Sequence, residues 1–241
     1  MKNILVTGVS KGLGLSIARK LLEKNHTVWG ISRTNNAELK SLSQKYPNTF
    51  HWKDFDLVQT EMVNEQLFKQ FITFDIKLDG FVNNAAMAYD DIVTNLQYEP
   101  LEKMYRVNVF SPMMITKYAI RNMLLHRVKG SIVHISSISV HTGYKGLAMY
   151  ASSKGALEAF SKNTAREWGG KGIRSNCLVA GFMETDMSST LSEDQKNRIY
   201  KRTALKKATK MSSVASMIEF LISDNAQSIT GQNIHVDSGT I

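Results

Sequence analysis

Ile4-Leu5-Val6-Thr7-Gly8-Val9-Ser10-Lys11-Gly12-Leu13-Gly14 is the stretch whose reading decides the fold. Its first part, within Asn3–Thr7, is a nearly continuous apolar run, the pattern of a strand covered on both faces. A glycine turn follows at once and opens a segment of helical period, Leu13–Lys24. Gly8 permits a tight turn, Gly12 a close backbone approach, and Gly14 close packing of helix on strand. The helix N-terminus then offers free N–H groups and a positive dipole end to a pyrophosphate. Glycines also punctuate ordinary turns, so the triplet is informative because of its strand–turn–helix context.

Outward from this stretch the pattern repeats. Further strands are expected at Thr27–Ser32, Thr49–Lys53, Gly80–Asn83, Ser131–Ser136, Arg174–Val179 and Asn233–Val236. Helical periods lie between them, including Thr60–Phe74, Pro100–His126, Met149–Trp168 and Ser212–Ser223. Such alternation predicts an α/β chain, residues 1–241 forming a single domain. Its core is a doubly wound parallel sheet of about seven strands with helices on both faces. Ligands then bind beyond the carboxyl ends of the strands.

Composition narrows the classes. The 241 residues are 43% hydrophobic and 21% charged, as in ordinary globular proteins. No apolar stretch approaches the roughly 20 residues that span a bilayer, and a soluble cytoplasmic chain is expected, with no membrane partner. Cys177 is the only cysteine, which rules out an internal disulfide and a Cys-rich zinc site, and no metal is expected. The formal charge of +9 is spread along the chain, with short clusters such as Lys196–Lys210. No zinc finger, RNP-like strand or basic helix with stacking aromatics accompanies it, so nucleic acid is not expected. A solvated basic surface and an acidic macromolecular carrier of the substrate are the two readings of that charge.

Sites that prefer NAD place an acidic residue about 20 residues on, at the end of the second strand. Ser32 and Arg33 stand there instead, and Lys11 lies inside the glycine loop. These cations suit a 2′-phosphate, although either could be an ordinary surface charge, and the expected cofactor is NADP(H). The loop's spacing, Thr-Gly-x-x-x-Gly-x-Gly, resembles that of the short-chain dehydrogenase/reductase family, with its Rossmann-like fold. The resemblance implies cofactor contacts from Gly8, Ser10, Lys11, Gly12, Leu13 and Gly14, and from Asp56-Leu57, where the family's Asp meets the adenine amino group. A capping or turn role for Asp56 can coexist with this. Asn83-Asn84-Ala85-Ala86 resembles the family's Asn-Asn-Ala-Gly segment, which implies that Asn84 touches the ribose side of the cofactor.

Tyr150-Ala151-Ser152-Ser153-Lys154 opens a helical segment, and residues four apart share a face. A phenol titrates near 10, and a nearby cation favours phenolate, so Lys154 is expected to lower the pKa of Tyr150. Tyr-x-x-x-Lys alone is common in helices. In the family, a serine 13 residues before the tyrosine hydrogen-bonds the substrate oxygen, and Ser137 holds that spacing. Serine at a strand end is otherwise a turn former. Asn108, a poor helix former inside a long helical run, matches the asparagine with which the family distorts that helix and holds a proton-relaying water. Asn108, Ser137, Tyr150 and Lys154 thus match the family's catalytic tetrad, and Tyr150 and Lys154 also its cofactor contacts.

Gly181-Phe182-Met183-Glu184-Thr185-Asp186-Met187 and Leu191-Ser192-Glu193-Asp194-Gln195 resemble bacterial 3-oxoacyl-acyl-carrier-protein reductases. That implies nicotinamide contacts at Met183 and Thr185, and NADPH-dependent reduction of a 3-oxoacyl thioester with Tyr150 as proton donor. It also implies an acidic acyl-carrier protein at Lys129 and Lys171, and a homotetramer or homodimer built on Pro100–His126 and Met149–Trp168. Ala180 and Ser238 depart from the pattern, standing where the family has proline and glycine. An alcohol, sugar or steroid-type dehydrogenase acting on a free ketone is the alternative enzyme. A catalytically silent NADP-sensing binding protein is the alternative class.

Overall fold

A computed structural model describes residues 1–185 and 192–240. Its seven strands are β1 (Asn3–Thr7), β2 (Thr27–Ser32), β3 (Phe50–Asp54), β4 (Gly80–Asn83), β5 (Ser131–Ser137), β6 (Arg174–Ala180) and β7 (Asn233–Val236). They form one sheet in the order β3-β2-β1-β4-β5-β6-β7, every pair parallel. The order reverses between β1 and β4, the crevice in which such sheets bind ligands. The strand expectations hold to within a residue or so at each end.

Successive strand residues face opposite sides, and both sides are apolar. Ile4, Val6, Val82, Val133 and Leu178 join one core with the helices α1 (Gly12–Glu23) and α7 (Met211–Ile222). Leu5, Phe81 and Ile132 join the other, against α4 (Ser111–Leu125). This double burial, worth roughly 1.5–3 kcal/mol per large side chain, explains the continuous apolar runs. α5 (Ala148–Trp168) packs beside β5 and β6. Among the described residues no helix is long and apolar enough to cross a membrane.

Two expected helices differ in kind. Pro100–His126 divides into α3 (Tyr98–Tyr105), a π-helical turn over Arg106–Phe110, and α4. Pro112 supplies a cause: it has no N–H for the carbonyl four residues back, and its ring crowds that carbonyl. The residue four back is Asn108, so the helix takes an extra residue there. Thr60–Phe74 is a 3-10 turn (Thr60–Met62) followed by a π-helical turn that ends at Lys69. Two further helices, α2 (Ala37–Lys45) and α6 (Glu193–Arg202), had been no part of the expected pattern. Asn36 caps the first, and Ser192 with Gln195 forms a capping box on the second.

Candidate active site

The glycine loop is built with almost no clearance. Gly8 and Gly12 have φ of 75° and 55°, the left-handed region that favours glycine. A Cβ on Gly14 would lie 2.0 Å from the Gly8 carbonyl oxygen and 2.5 Å from Asn84 Nδ2. Over Gly12, by contrast, a Cβ would meet nothing within 4 Å among the described residues, and the backbone is open to approach. No side chain among the described residues caps α1, and its first turn carries no acid. An open, uncapped helix N-terminus beside Ser10 and Lys11 fits a dinucleotide pyrophosphate. Leu13 is buried beneath it.

Asn36 ties this loop to the end of β2, donating from Nδ2 to the Ser10 carbonyl at 2.7 Å while capping α2. Arg33, directly after β2, is exposed in that turn. Asp56 Oδ1 accepts from the Val58 amide at 3.0 Å, the turn role foreseen for it, leaving Oδ2 for other partners. Leu57 is buried in the α4-side core, so only its backbone can meet a ligand. Asn84 serves a duty that sequence did not disclose. Its Nδ2 donates to the Thr7 carbonyl at 2.9 Å, while Thr7 Oγ1 accepts from the amides of Asn84 and Ala85. β4 is thereby locked to the glycine turn.

Asn108, Ser137, Tyr150 and Lys154 come together at the carboxyl rim. Lys154 Nζ is 5.7 Å from the centre of the Tyr150 ring and donates to the Ile135 carbonyl at 2.8 Å. Ser137 ends β5 and its Oγ accepts from the amide and hydroxyl of Ser139. Asn108, fully buried in the π-helical turn, accepts from the Met87 amide and donates to the Met87 carbonyl, each at 2.8 Å. Its Nδ2 also donates to Ser153 Oγ at 3.0 Å, and Ser153 donates to the Tyr150 carbonyl at 2.8 Å. Ser153, given no role by the sequence, links the distorted helix to the tyrosine.

The electrostatics reverse one expectation. The Tyr150 phenol is not lowered but pushed up to about 12, first by burial and then by the carboxylate of Asp90. Lys154 gives way instead: burial lowers its ammonium to about 8. Below it, fully buried His134 is held down to about 3, by burial first and the Lys154 charge second. Desolvation outweighs the lysine–phenol attraction here, with Lys154 fully buried and Tyr150 half-buried.

A buried carboxylate supports the rim. Glu158, one turn beyond Lys154, accepts from Ser136 Oγ, from His141 Nε2 at 3.0 Å and from Asn233 Nδ2 at 2.6 Å. It therefore holds the residue before Ser137, the turn after it, and the edge strand β7. A buried acid in an apolar helix face was the available sequence signal.

Beyond β6, Phe182–Thr185 runs beneath α6. Tyr200 donates to Glu184 Oε1 and its ring lies 6.1 Å from that of Phe182. The Thr209 amide donates to the Phe182 carbonyl at 2.8 Å. Met183 packs on the α1/α7-side core and Thr185 is part-exposed. Asp186, Met187 and Leu191 lie outside the described residues. Lys129 and Lys171 are exposed together just before β5 and β6, where Ser131 pairs with Arg174. Tyr150 and Ser137 belong to the opposite end of those strands.

A family model described as enoyl-(acyl carrier protein) reductase matches residues 8–240. The chain is 33% identical to a 3-oxoacyl-acyl-carrier-protein reductase of Chlamydia trachomatis, over 99% of this chain and 96% of that one. It is 31% identical to an L-xylulose reductase of Caenorhabditis elegans, over 99% and 95%. A solved 4-hydroxyisoleucine dehydrogenase complexed with NADH superposes with a TM-score of 0.93 at 27% identity, covering 100% of this chain and 98% of that one.

Proposed function

This chain belongs to the short-chain dehydrogenase/reductase family of oxidoreductases, and we propose that it reduces 3-oxoacyl thioesters carried on an acyl-carrier protein, using NADPH. The observation that carries the chemistry is the hydrogen-bonded link from Asn108 through Ser153 to the Tyr150 carbonyl, with Lys154 Nζ 5.7 Å from the Tyr150 ring and bonded to Ile135, two residues before Ser137. Similarity to 3-oxoacyl-acyl-carrier-protein reductases along the whole chain supports the substrate. Exposed Arg33 after β2, where an NAD site would carry an acid, supports the phosphorylated cofactor.

Bound NADPH would supply the hydride. Tyr150 gives its phenolic proton to the substrate carbonyl oxygen, and Ser137 Oγ donates a hydrogen bond to the same oxygen as negative charge grows there. Lys154, charged below about pH 8, stabilises the phenolate left behind and orients the nicotinamide ribose. Asn108 keeps the helix turn in register with Tyr150 through Ser153 and feeds the proton path. A phenol pushed up to about 12 keeps its proton across the ordinary pH range, as a proton donor requires. Tyr150→Phe is expected to cut kcat by about 10³-fold, and retention of full turnover overturns the assignment.

NADPH oxidation against a panel of 3-ketoacyl thioesters and free ketones tests the substrate. Turnover of free ketones alone overturns it in favour of a sugar or alcohol dehydrogenase, the reading to which the L-xylulose reductase similarity points. We further propose a homotetramer. Phe110 and Leu125 expose apolar surface at the two ends of α4, beside a groove between α4 and α5. A monomeric mass by light scattering overturns that assembly.

A further inference from the structure

α6 is a helix that the core does not account for. None of its ten residues is buried, and its sequence, Glu193 to Arg202, is polar almost all round. A helix this short has little stability of its own and ordinarily gains it by burying an apolar face. Here a capping box and the Tyr200 contact with Phe182 and Glu184 hold it at the surface.

Its charge is as unusual as its burial. Residues 193–210 carry seven lysines and arginines against two acids, an excess of five where the whole chain has nine. Arg198, Lys201 and Arg202, three and four residues apart, share one exposed face of the helix. Exposed Lys206, Lys207 and Lys210 continue it, and Leu205 presents an apolar side chain, 59% exposed, among them. Among the described residues, no ion pair joins any of these six cations to a carboxylate, whereas Lys196 pairs with Glu193.

Position completes the case. Ser137 pairs with Ala180 at the end of β5 and β6, and Phe182, two residues past Ala180, lies against Tyr200 of α6. Lys129 and Lys171 precede the other end of the same two strands. Seven-residue strands put the two basic surfaces on the order of 20 Å apart along the sheet. Within one protomer, α6 is the basic surface at the Ser137 and Tyr150 end of the sheet.

We propose that the cationic face of α6, extended through Lys206, Lys207 and Lys210, is the docking surface for an acidic acyl-carrier protein. This rests on the proposed carrier-bound substrate. Unpaired surface cations around one exposed leucine match a partner helix with acidic flanks and an apolar centre.

The test uses the full-length enzyme with NADPH and the same 3-ketoacyl group, once on holo-carrier protein and once on free pantetheine. Lys201→Glu with Arg202→Glu is expected to raise KM for the carrier-bound substrate at least about tenfold and leave the pantetheine thioester kinetics unchanged. Arg198→Gln with Lys207→Gln, which disturbs the helix less, is expected to raise it about threefold, and 0.5 M salt should erase the wild-type preference. If Lys129→Glu with Lys171→Glu abolishes the preference and the α6 variants keep it, the docking proposal is overturned and the substrate stands. If the wild type shows no preference for the carrier-bound form, the proposed substrate falls, and the docking proposal with it. Salt-sensitive binding of random-sequence duplex DNA at α6, with none of the carrier, overturns the choice of partner.

Discussion

The glycine turn and the α6 cover sit at one rim of the sheet and are built on opposite principles. Around Gly8, Gly14 and Asn84 the chain is interlocked to within an atom's width. Over Phe182–Thr185 the covering helix buries no residue and is held by polar contacts at Tyr200, Ala204 and Leu205. A region with no spare volume admits one backbone shape and so one kind of ligand. A region held by surface polar contacts can change its side chains at small cost. On the proposed function, the first region holds the dinucleotide and the second meets the carrier.

The sharpest way to break that contrast is Gly14→Ala. Its methyl would sit 2.0 Å from a backbone carbonyl oxygen that the β1–α1 turn cannot move aside. We expect a loss of about 3 kcal/mol, visible in denaturant unfolding, and loss of NADPH affinity by fluorescence titration. A variant with wild-type stability would show that the turn has slack and that the contrast is false.

Lys154 shows what the tight region costs. Lowering a fully buried ammonium from 10.5 to about 8 corresponds to about 3 kcal/mol of unfavourable burial at neutral pH. Between those two values the unfolded chain binds more protons than the folded one, so this residue's contribution makes stability rise with pH across that window. Lys154→Met should remove the rise and stabilise the fold at pH 7 by about 1–3 kcal/mol, while turnover collapses. Thermal unfolding at pH 7 and pH 9.5 decides it. A destabilised Met variant at both pH values would mean the lysine's bond to Ile135 outweighs its burial.

How much of this was legible follows from how local each cause is. Strand identity, sheet type and the glycine turn depend on periodicity and on residues adjacent in sequence, and all were readable. The π-helical turn at Arg106–Phe110 was half readable. Asn108 was singled out through resemblance, yet Pro112, four residues on, carried the physical cause and went unused. The direction of the Tyr150 shift was misjudged because charge proximity can be read from i, i+4 spacing, whereas desolvation depends on which other segments close over the pair. Ser153 and Asn36 were invisible as site residues for the same reason, since their partners are 45 and 26 residues away, and Glu158, with a partner 75 residues away, offered only the signal of an acid on an apolar helix face. α6 should have been read, because Ser192-x-x-Gln195 is a capping signature.

Glu158 lies between the two regions in character: buried, yet entirely polar in its contacts. Glu158→Gln keeps the shape and one acceptor oxygen but sets an NH2 in place of the other, facing either Ser136 and His141 or Asn233. We expect a loss of about 1–2 kcal/mol, with kcat reduced several-fold and KM for NADPH unchanged, because Ser137 moves and the glycine turn does not. Steady-state kinetics beside urea unfolding separates the effects. An equal rise in KM for NADPH would mean that the rim and the glycine turn move as one body.

The smallest expected effect lies where the covering region is anchored. Ser238 adopts φ of 60°, a left-handed conformation that strains a side chain, and its carbonyl accepts from the Leu205 amide at 3.1 Å. Ser238→Gly relieves that strain and gives up the 3.2 Å hydroxyl contact with Thr209, so the net gain should be about 0.5 kcal/mol. Across a chain of this size that is a rise of roughly 1–2 °C in Tm. If the region is as tolerant as its surface contacts imply, turnover stays within twofold. A loss of more than about 1 kcal/mol would place Ser238 among the interlocked positions, and the covering segment would then be built to the same tolerance as the turn around Gly14.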